Sequence, residues 1–127
     1  MAKEKKLTKF LEIFFNEGKD AISLAIKGGA NVNEQDKKGW SALHYAINYE
    51  DVSLIELLLK NGANVDIQDV YGNTPLFRAV YNCKGDGTII KLLLSYGADK
   101  KLKDNDGISP YDLAYDIANF PVAQFLE

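Results

Sequence analysis

The chain repeats itself, and that constrains its fold more than anything its composition says. Asp36-Lys37-Lys38-Gly39-Trp40-Ser41-Ala42-Leu43-His44-Tyr45-Ala46 returns 33 residues later as Asp69-Val70-Tyr71-Gly72-Asn73-Thr74-Pro75-Leu76-Phe77-Arg78-Ala79. After a further 35 it returns as Asp104-Asn105-Asp106-Gly107-Ile108-Ser109-Pro110-Tyr111-Asp112-Leu113-Ala114. A second marker keeps the same rhythm: Gly29-Ala30-Asn31-Val32, Gly62-Ala63-Asn64-Val65 and Gly97-Ala98-Asp99-Lys100. Two markers in phase argue against chance. One such unit cannot bury its apolar side alone, so the copies must stack.

Each unit has a local physical logic. Asp-x-x-Gly is turn chemistry, with Gly supplying the positive φ a tight turn needs. Ser41, Thr74 and Ser109 then cap a helix, and Pro75 and Pro110 sit in its first turn, where a missing N–H costs nothing. Small Ala46, Ala79 and Ala114 follow Leu43, Leu76 and Tyr111 by one turn, which lets neighbouring units approach closely. A second helix carries Ile55-Glu56-Leu57-Leu58-Leu59 or Ile90-Lys91-Leu92-Leu93-Leu94, and Gly62 and Gly97 stop it. Toward the N-terminus, Leu7, Phe10, Leu11, Phe14 and Phe15 make one helical face, and Asp20 to Lys27 leads on to Gly29-Ala30.

The pattern closely resembles the ankyrin-repeat family, whose signature is a β-turn plus helix pair carrying Thr-Pro-Leu-His-x-Ala. The resemblance covers nearly the whole chain. It implies an all-α solenoid of stacked helix-turn-helix units with β-hairpin-like loops, about four repeats including caps, in a single domain over residues 1–127. Residues 7–35 are expected to be an N-terminal cap, 36–68 a full repeat, and 69–103 a repeat with two extra residues between Tyr81 and Thr88. Residues 104–127 are expected to be a C-terminal cap repeat that stops inside its second helix. Ala42 replaces the signature proline, and Phe77 and Asp112 replace the His. In the family that His usually hydrogen-bonds neighbouring loop backbone, which is the role expected of His44.

Composition narrows the function. A single cysteine, Cys83, excludes an internal disulfide, and with one histidine it excludes zinc sites of the Cys/His type. The longest apolar runs, such as Leu57-Leu58-Leu59, fall far short of the roughly 20 residues that span a bilayer. No apolar segment follows the N-terminal lysines, so a soluble, unsecreted, cytoplasmic protein is expected. Those lysines, without a lipid signal, bind membranes only weakly. Arg78 is the one arginine among fifteen cationic residues; phosphate and base recognition lean on Arg forks, so nucleic acid is not the expected partner.

Enzymatic chemistry needs a nucleophile, a base and a group that orients the base. His44 has no motif partner, and Cys83 reads as a spectator thiol between two helices, although Lys84 beside it could lower its pKa. Lys84-Gly85-Asp86-Gly87-Thr88 lacks the order of a phosphate loop. Asp104-Asn105-Asp106-Gly107 fails as a calcium loop, because Leu102 and Leu113 fall at its first and last ligand positions. Asp112 and Asp116, four apart on one helix, leave three readings open: a solvated face, recognition of a basic partner, or a carboxylate pair sharing a proton. No pocket is suggested around them. The expectation is a non-enzyme with no cofactor and no metal.

What remains is a binding surface. The family resemblance implies contacts through turn tips and the exposed side of the short first helices. The turn positions are Lys37, Lys38 and Trp40, then Val70, Tyr71 and Asn73, then Asn105, Asp106 and Ile108. The helix ends supply Asn48 and Tyr49, then Tyr81 and Asn82, then Asp116 and Ile117. Trp40, Tyr49, Tyr71 and Tyr81 would lie where the fold does not need them in its core, and aromatics of this kind anchor interfaces. They could equally lie flat over neighbouring repeats as apolar cover. Asp104, Asp106, Asp112 and Asp116 extend the strip, which predicts a protein partner that is apolar in the middle and basic at one end. Residues 104–127 carry five acids and no Lys or Arg. The implied function is a monomeric, cytoplasmic protein-binding inhibitor, such as a bacterial immunity protein that neutralises a basic toxin; the alternative is an adaptor or effector that tethers a cellular or host protein without inhibiting it.

Overall fold

The computed structural model describes residues 9–116 and 122–127. Along them run α1 (Lys9–Asn16), α2 (Lys19–Lys27), α3 (Ala42–Asn48), α4 (Val52–Lys60), α5 (Pro75–Asn82), α6 (Thr88–Ser95), α7 (Pro110–Asp116) and a closing 3-10 turn, Val122–Leu126. No strand occurs among the described residues. Helices pair within a unit, α1 on α2, α3 on α4 and α5 on α6, and α7 packs on the closing turn. Across units the short helices stack directly, α3 on α5 and α5 on α7. This is an all-α repeat solenoid.

The helix limits follow from side chains close in sequence. Thr74 Oγ1 accepts from the Phe77 N–H at 3.2 Å and Ser109 Oγ from that of Asp112 at 3.0 Å. Asp51 does the same for Leu54 at the start of α4, at 3.1 Å. Gly62 and Gly97, at φ 93° and 89°, turn the chain so that Ala63 N–H reaches Leu58 O and Ala98 N–H reaches Leu93 O. Those bonds satisfy carbonyls that would otherwise end the helices unpaired.

One apolar cluster runs through all the units. Phe10, Leu11, Leu43, Ile47, Ile55, Leu58, Leu76, Val80, Ile90, Leu93 and Leu126 are fully buried in it, each side chain of this size contributing about 1.5–3 kcal/mol by leaving water. Ala46, Ala79 and Ala114 are buried where the short helices meet. Phe15 departs from the expected apolar face. It is exposed and leans edge-on against Tyr45 at 4.9 Å, because Phe10, Leu11 and Phe14 already fill the side of α1 turned to the core. Leu7 lies outside the described residues.

The turns stack on one another. Asp36, Asp69 and Asp104 each use Oδ1 to accept two backbone N–H groups of their own turn, at 2.9 Å throughout. Val70 N–H then donates to Lys38 O at 3.0 Å, and Asn105 N–H to Tyr71 O at 2.9 Å. The approach is close enough that a Cβ on Gly39 (φ +78°) would stand 2.6 Å from the Val70 nitrogen. The side-chain amide of Gln35 bonds Gly39 O and Gln68 O, and that of Gln68 bonds Gly72 O and Lys103 O. Between α5 and α6 the connection is residues 83–87, against 49–51 between α3 and α4.

Candidate protein-binding face

Side chains of successive units come together on the row of short helices. Tyr45 and Arg78 both occupy the place after the His position in the repeat, 33 residues apart. The Trp40 ring stacks on His44 with centroids 5.7 Å apart and meets Tyr45 edge-on at 4.8 Å. Tyr45 in turn lies 6.3 Å from Tyr49, and its hydroxyl donates to Asp36 Oδ2. Burial and that carboxylate push the Tyr45 phenol above its ordinary pKa. The Arg78 guanidinium lies over two rings at once, 5.1 Å from the Trp40 centroid and 5.3 Å from that of Tyr81; each such contact is worth about 0.5–1 kcal/mol when exposed. Lys38 Nζ is 5.8 Å from the Trp40 centroid.

Tyr49, Tyr71 and Tyr81 are 55%, 68% and 61% exposed. Val70, Lys37 and Lys38 are exposed as well. Trp40 needs a correction. It is half-buried, because its ring covers the buried imidazole of His44, so the fold does use it. Tyr71 makes no ring contact with the others among the described residues; Phe15, Tyr45, Tyr49, Trp40, Arg78 and Tyr81 form the connected strip. Asn48 Oδ1 accepts from Asn82 Nδ2 at 3.3 Å, which ties the ends of α3 and α5 together. Asn73 is half-buried, and its backbone carbonyl is what His44 holds.

His44 performs two jobs. Nδ1 accepts from the Ser41 N–H at 3.1 Å, so Nε2 carries the proton and donates to Asn73 O in the next turn at 3.1 Å. Burial, reinforced by the Arg78 charge, holds its pKa below 6.5. Asp112 takes the corresponding place in the last unit. Its carboxylate accepts from the Ser109 N–H at 3.0 Å and pairs with Lys103 at 3.4 Å. Those contacts, the Ser109 bond foremost, keep its pKa below the usual carboxylate range. Asp104 is likewise occupied by its own turn. Of the four aspartates of this end, Asp106 and Asp116 are exposed, and Ile108 is half-buried; Ile117 lies outside the described residues.

A family model of ankyrin repeats, in three copies, matches residues 10–104. The chain belongs to the ankyrin-repeat family. It is 36% identical over 111 residues to the ankyrin repeat protein FPV031 of fowlpox virus, covering 83% of this chain and 32% of that protein. It is 38% identical over 108 residues to fowlpox FPV115, covering 84% and 19%. With the E3 ubiquitin-protein ligase KEG of Arabidopsis thaliana it shares 31% over 103 residues, covering 80% and 6%. The chain thus spans about a third or less of the length of these relatives. Ankyrin repeats are a protein-interaction fold, typically without enzymatic activity, and the chain is a protein-interaction module.

Three members of this ankyrin face escape a reading of turn tips and helix ends: Phe15, Tyr45 and Arg78. Their signal was present, since Tyr45 and Arg78 share one register position. What sequence could not show is that Phe15 meets Tyr45 and that Arg78 covers the Trp40 ring of the preceding unit. A pocket of about 210 Å³ opens beside the face, with Ile47, Ala79 and Ile90 as its apolar floor and Glu50, Asn82, Lys84 and Asp86 on its rim. The buried Cys83 lines it and its Sγ donates to Asp86 O at 3.5 Å. No helix among the described residues is long and apolar enough to cross a membrane.

Proposed function

We propose that this ankyrin array acts in the cytoplasm by occupying a single protein partner with the face built from Lys37, Lys38, Trp40, Asn48, Tyr49, Val70, Tyr71, Asn73, Tyr81 and Asn82, continued by Asp104, Asp106, Ile108, Asp112 and Asp116. The observation that carries this reading is the exposure of Tyr49, Tyr71 and Tyr81, none of which belongs to the apolar core of the described residues. Large amphipathic rings left in water are the usual anchors of interfaces. The most specific form is a stoichiometric inhibitor, such as an immunity protein that neutralises a toxin. Exposed Asp106 and Asp116 at one end suit a basic region on that partner and would speed its capture by steering.

A second reading is an adaptor that tethers its partner without inhibiting it. The small share of each longer relative that this chain matches favours it, because there a comparable array is one part of a larger protein. Affinity capture from the native cell, with wild type beside Tyr49→Ala/Tyr71→Ala/Tyr81→Ala, tests the face. One partner bound by wild type and weakened at least about 30-fold in the variant is expected, since each anchor is worth about 2 kcal/mol. Equal capture by both would remove the face from the proposal. Adding the array at one equivalent to the purified partner then separates the two forms: loss of the partner's activity means inhibitor, and unchanged activity means adaptor.

A further inference from the structure

We propose that Arg78 is the receptor for a carboxylate at the centre of the partner's contact, so that the partner is acidic there. This rests on the protein-binding face proposed above and names the chemistry of what meets it. A guanidinium is planar: it can stack by its faces and donate hydrogen bonds by its edges. The Arg78 guanidinium carbon lies over the Trp40 and Tyr81 rings, 5.1 and 5.3 Å from their centroids. No acceptor among the described residues bonds the Arg78 N–H groups.

The acids nearest in the repeat are already engaged. Asp36 accepts from the Lys38 and Trp40 N–H groups and from the Tyr45 hydroxyl. Asp69 is buried and accepts from the Tyr71 and Asn73 N–H groups. Lys38 lies over the Trp40 ring that Arg78 also covers, so the middle of the face carries positive charge framed by aromatic rings. The described turn tips then run from cationic Lys37 and Lys38, through Val70 and Tyr71, to Asn105 and Asp106. The complement is a segment with a carboxylate for the Arg78 fork, apolar groups for Tyr49 and Tyr81, and positive charge only beyond, at Asp106 and Asp116. A forked guanidinium–carboxylate pair is directional as well as strong, so Arg78 would set the register of the bound segment.

The single arginine reports on itself. In the isotopically labelled full chain its Nε–Hε correlation is the only one of its kind. The probes are two short peptides, acetyl-Tyr-Glu-Tyr-Glu-amide and the same peptide with Gln for Glu. The Glu peptide should move the Hε signal downfield and bind about tenfold more tightly than the Gln peptide. Arg78→Lys, which keeps the charge and loses the fork, should remove most of that preference; thermal unfolding confirms that the variant is folded. An Nε–Hε signal that neither peptide moves, or that both move alike, overturns the proposal. So does a preference that survives in Arg78→Lys and Arg78→Gln. With the natural partner in hand, binding lost in Tyr49→Ala/Tyr71→Ala but unchanged in Arg78→Gln sinks the carboxylate receptor and leaves the face standing. Binding indifferent to both sinks the face itself, and the receptor with it.

Discussion

At the scale of single residues, the imidazole of His44 is the joint between two units. It must be neutral to accept from the Ser41 N–H while donating to Asn73 O. Because its folded pKa lies below the ordinary 6.5, the unfolded chain binds a proton first as pH falls. Stability is therefore full above about pH 6.5 and declines as pH drops through the window below it. Urea unfolding at pH 7.5 and 5.5 should show this loss in wild type. His44→Gln should be less stable at both pH values and lose that part of the slope, since the chain has no other histidine. An unchanged slope in the variant would assign the pH dependence to carboxylates. The same scale shows what a signature can conceal. Asp112 breaks the His pattern and yet caps Ser109 as His44 caps Ser41, because a carboxylate oxygen and a neutral Nδ1 are both acceptors at the third helical position.

At the scale of elements, the short helices are marginal alone and depend on their ends. α5 has eight residues, too few to be stable in water without caps and packing. Thr74 is buried and its hydroxyl is the N-cap. Thr74→Ala should cost about 1 kcal/mol, whereas Thr74→Ser should cost much less because it keeps the acceptor; chemical denaturation midpoints measure both. Equal losses would mean that the methyl group's packing matters more than the cap. Capping and helix limits were legible in the chain because they depend on residues within four positions of each other. The turn stacking was legible only in part. Asp-x-x-Gly announces a turn, but nothing local says that Gly39 passes within a Cβ radius of Val70 or that Gln35 reaches Gln68.

At the scale of the whole molecule, stability is a sum of units and the contacts between neighbours. Leu76 sits fully buried on α5, which packs against both α3 and α7. Leu76→Ala should cost about 2–5 kcal/mol by leaving a cavity. Amide exchange should then rise in α3 and α7 as well as in α5, because both lose their stacking partner when α5 opens. Val122→Ala, in the closing turn, should open α7 and leave α3 protected. Equal exchange everywhere in both variants would show one cooperative block in place of coupled units.

The sequence by itself determined the repeat, its register, the caps and the class of fold, since each depends on short-range spacing that recurs every 33 to 35 residues. It also marked out the turn tips and helix ends as the exposed positions, and Tyr49, Tyr71 and Tyr81 are exposed there. Only the tertiary structure decided which aromatics the fold consumes: Trp40 as cover for His44, Phe15 turned outward onto Tyr45. Only stacking could place Arg78 over rings contributed by two units. The reason is physical. A side chain's partners within a turn are set by helix and turn geometry, but its partners in the next repeat are set by how closely the alanine-lined helices pack, and no single unit contains that distance.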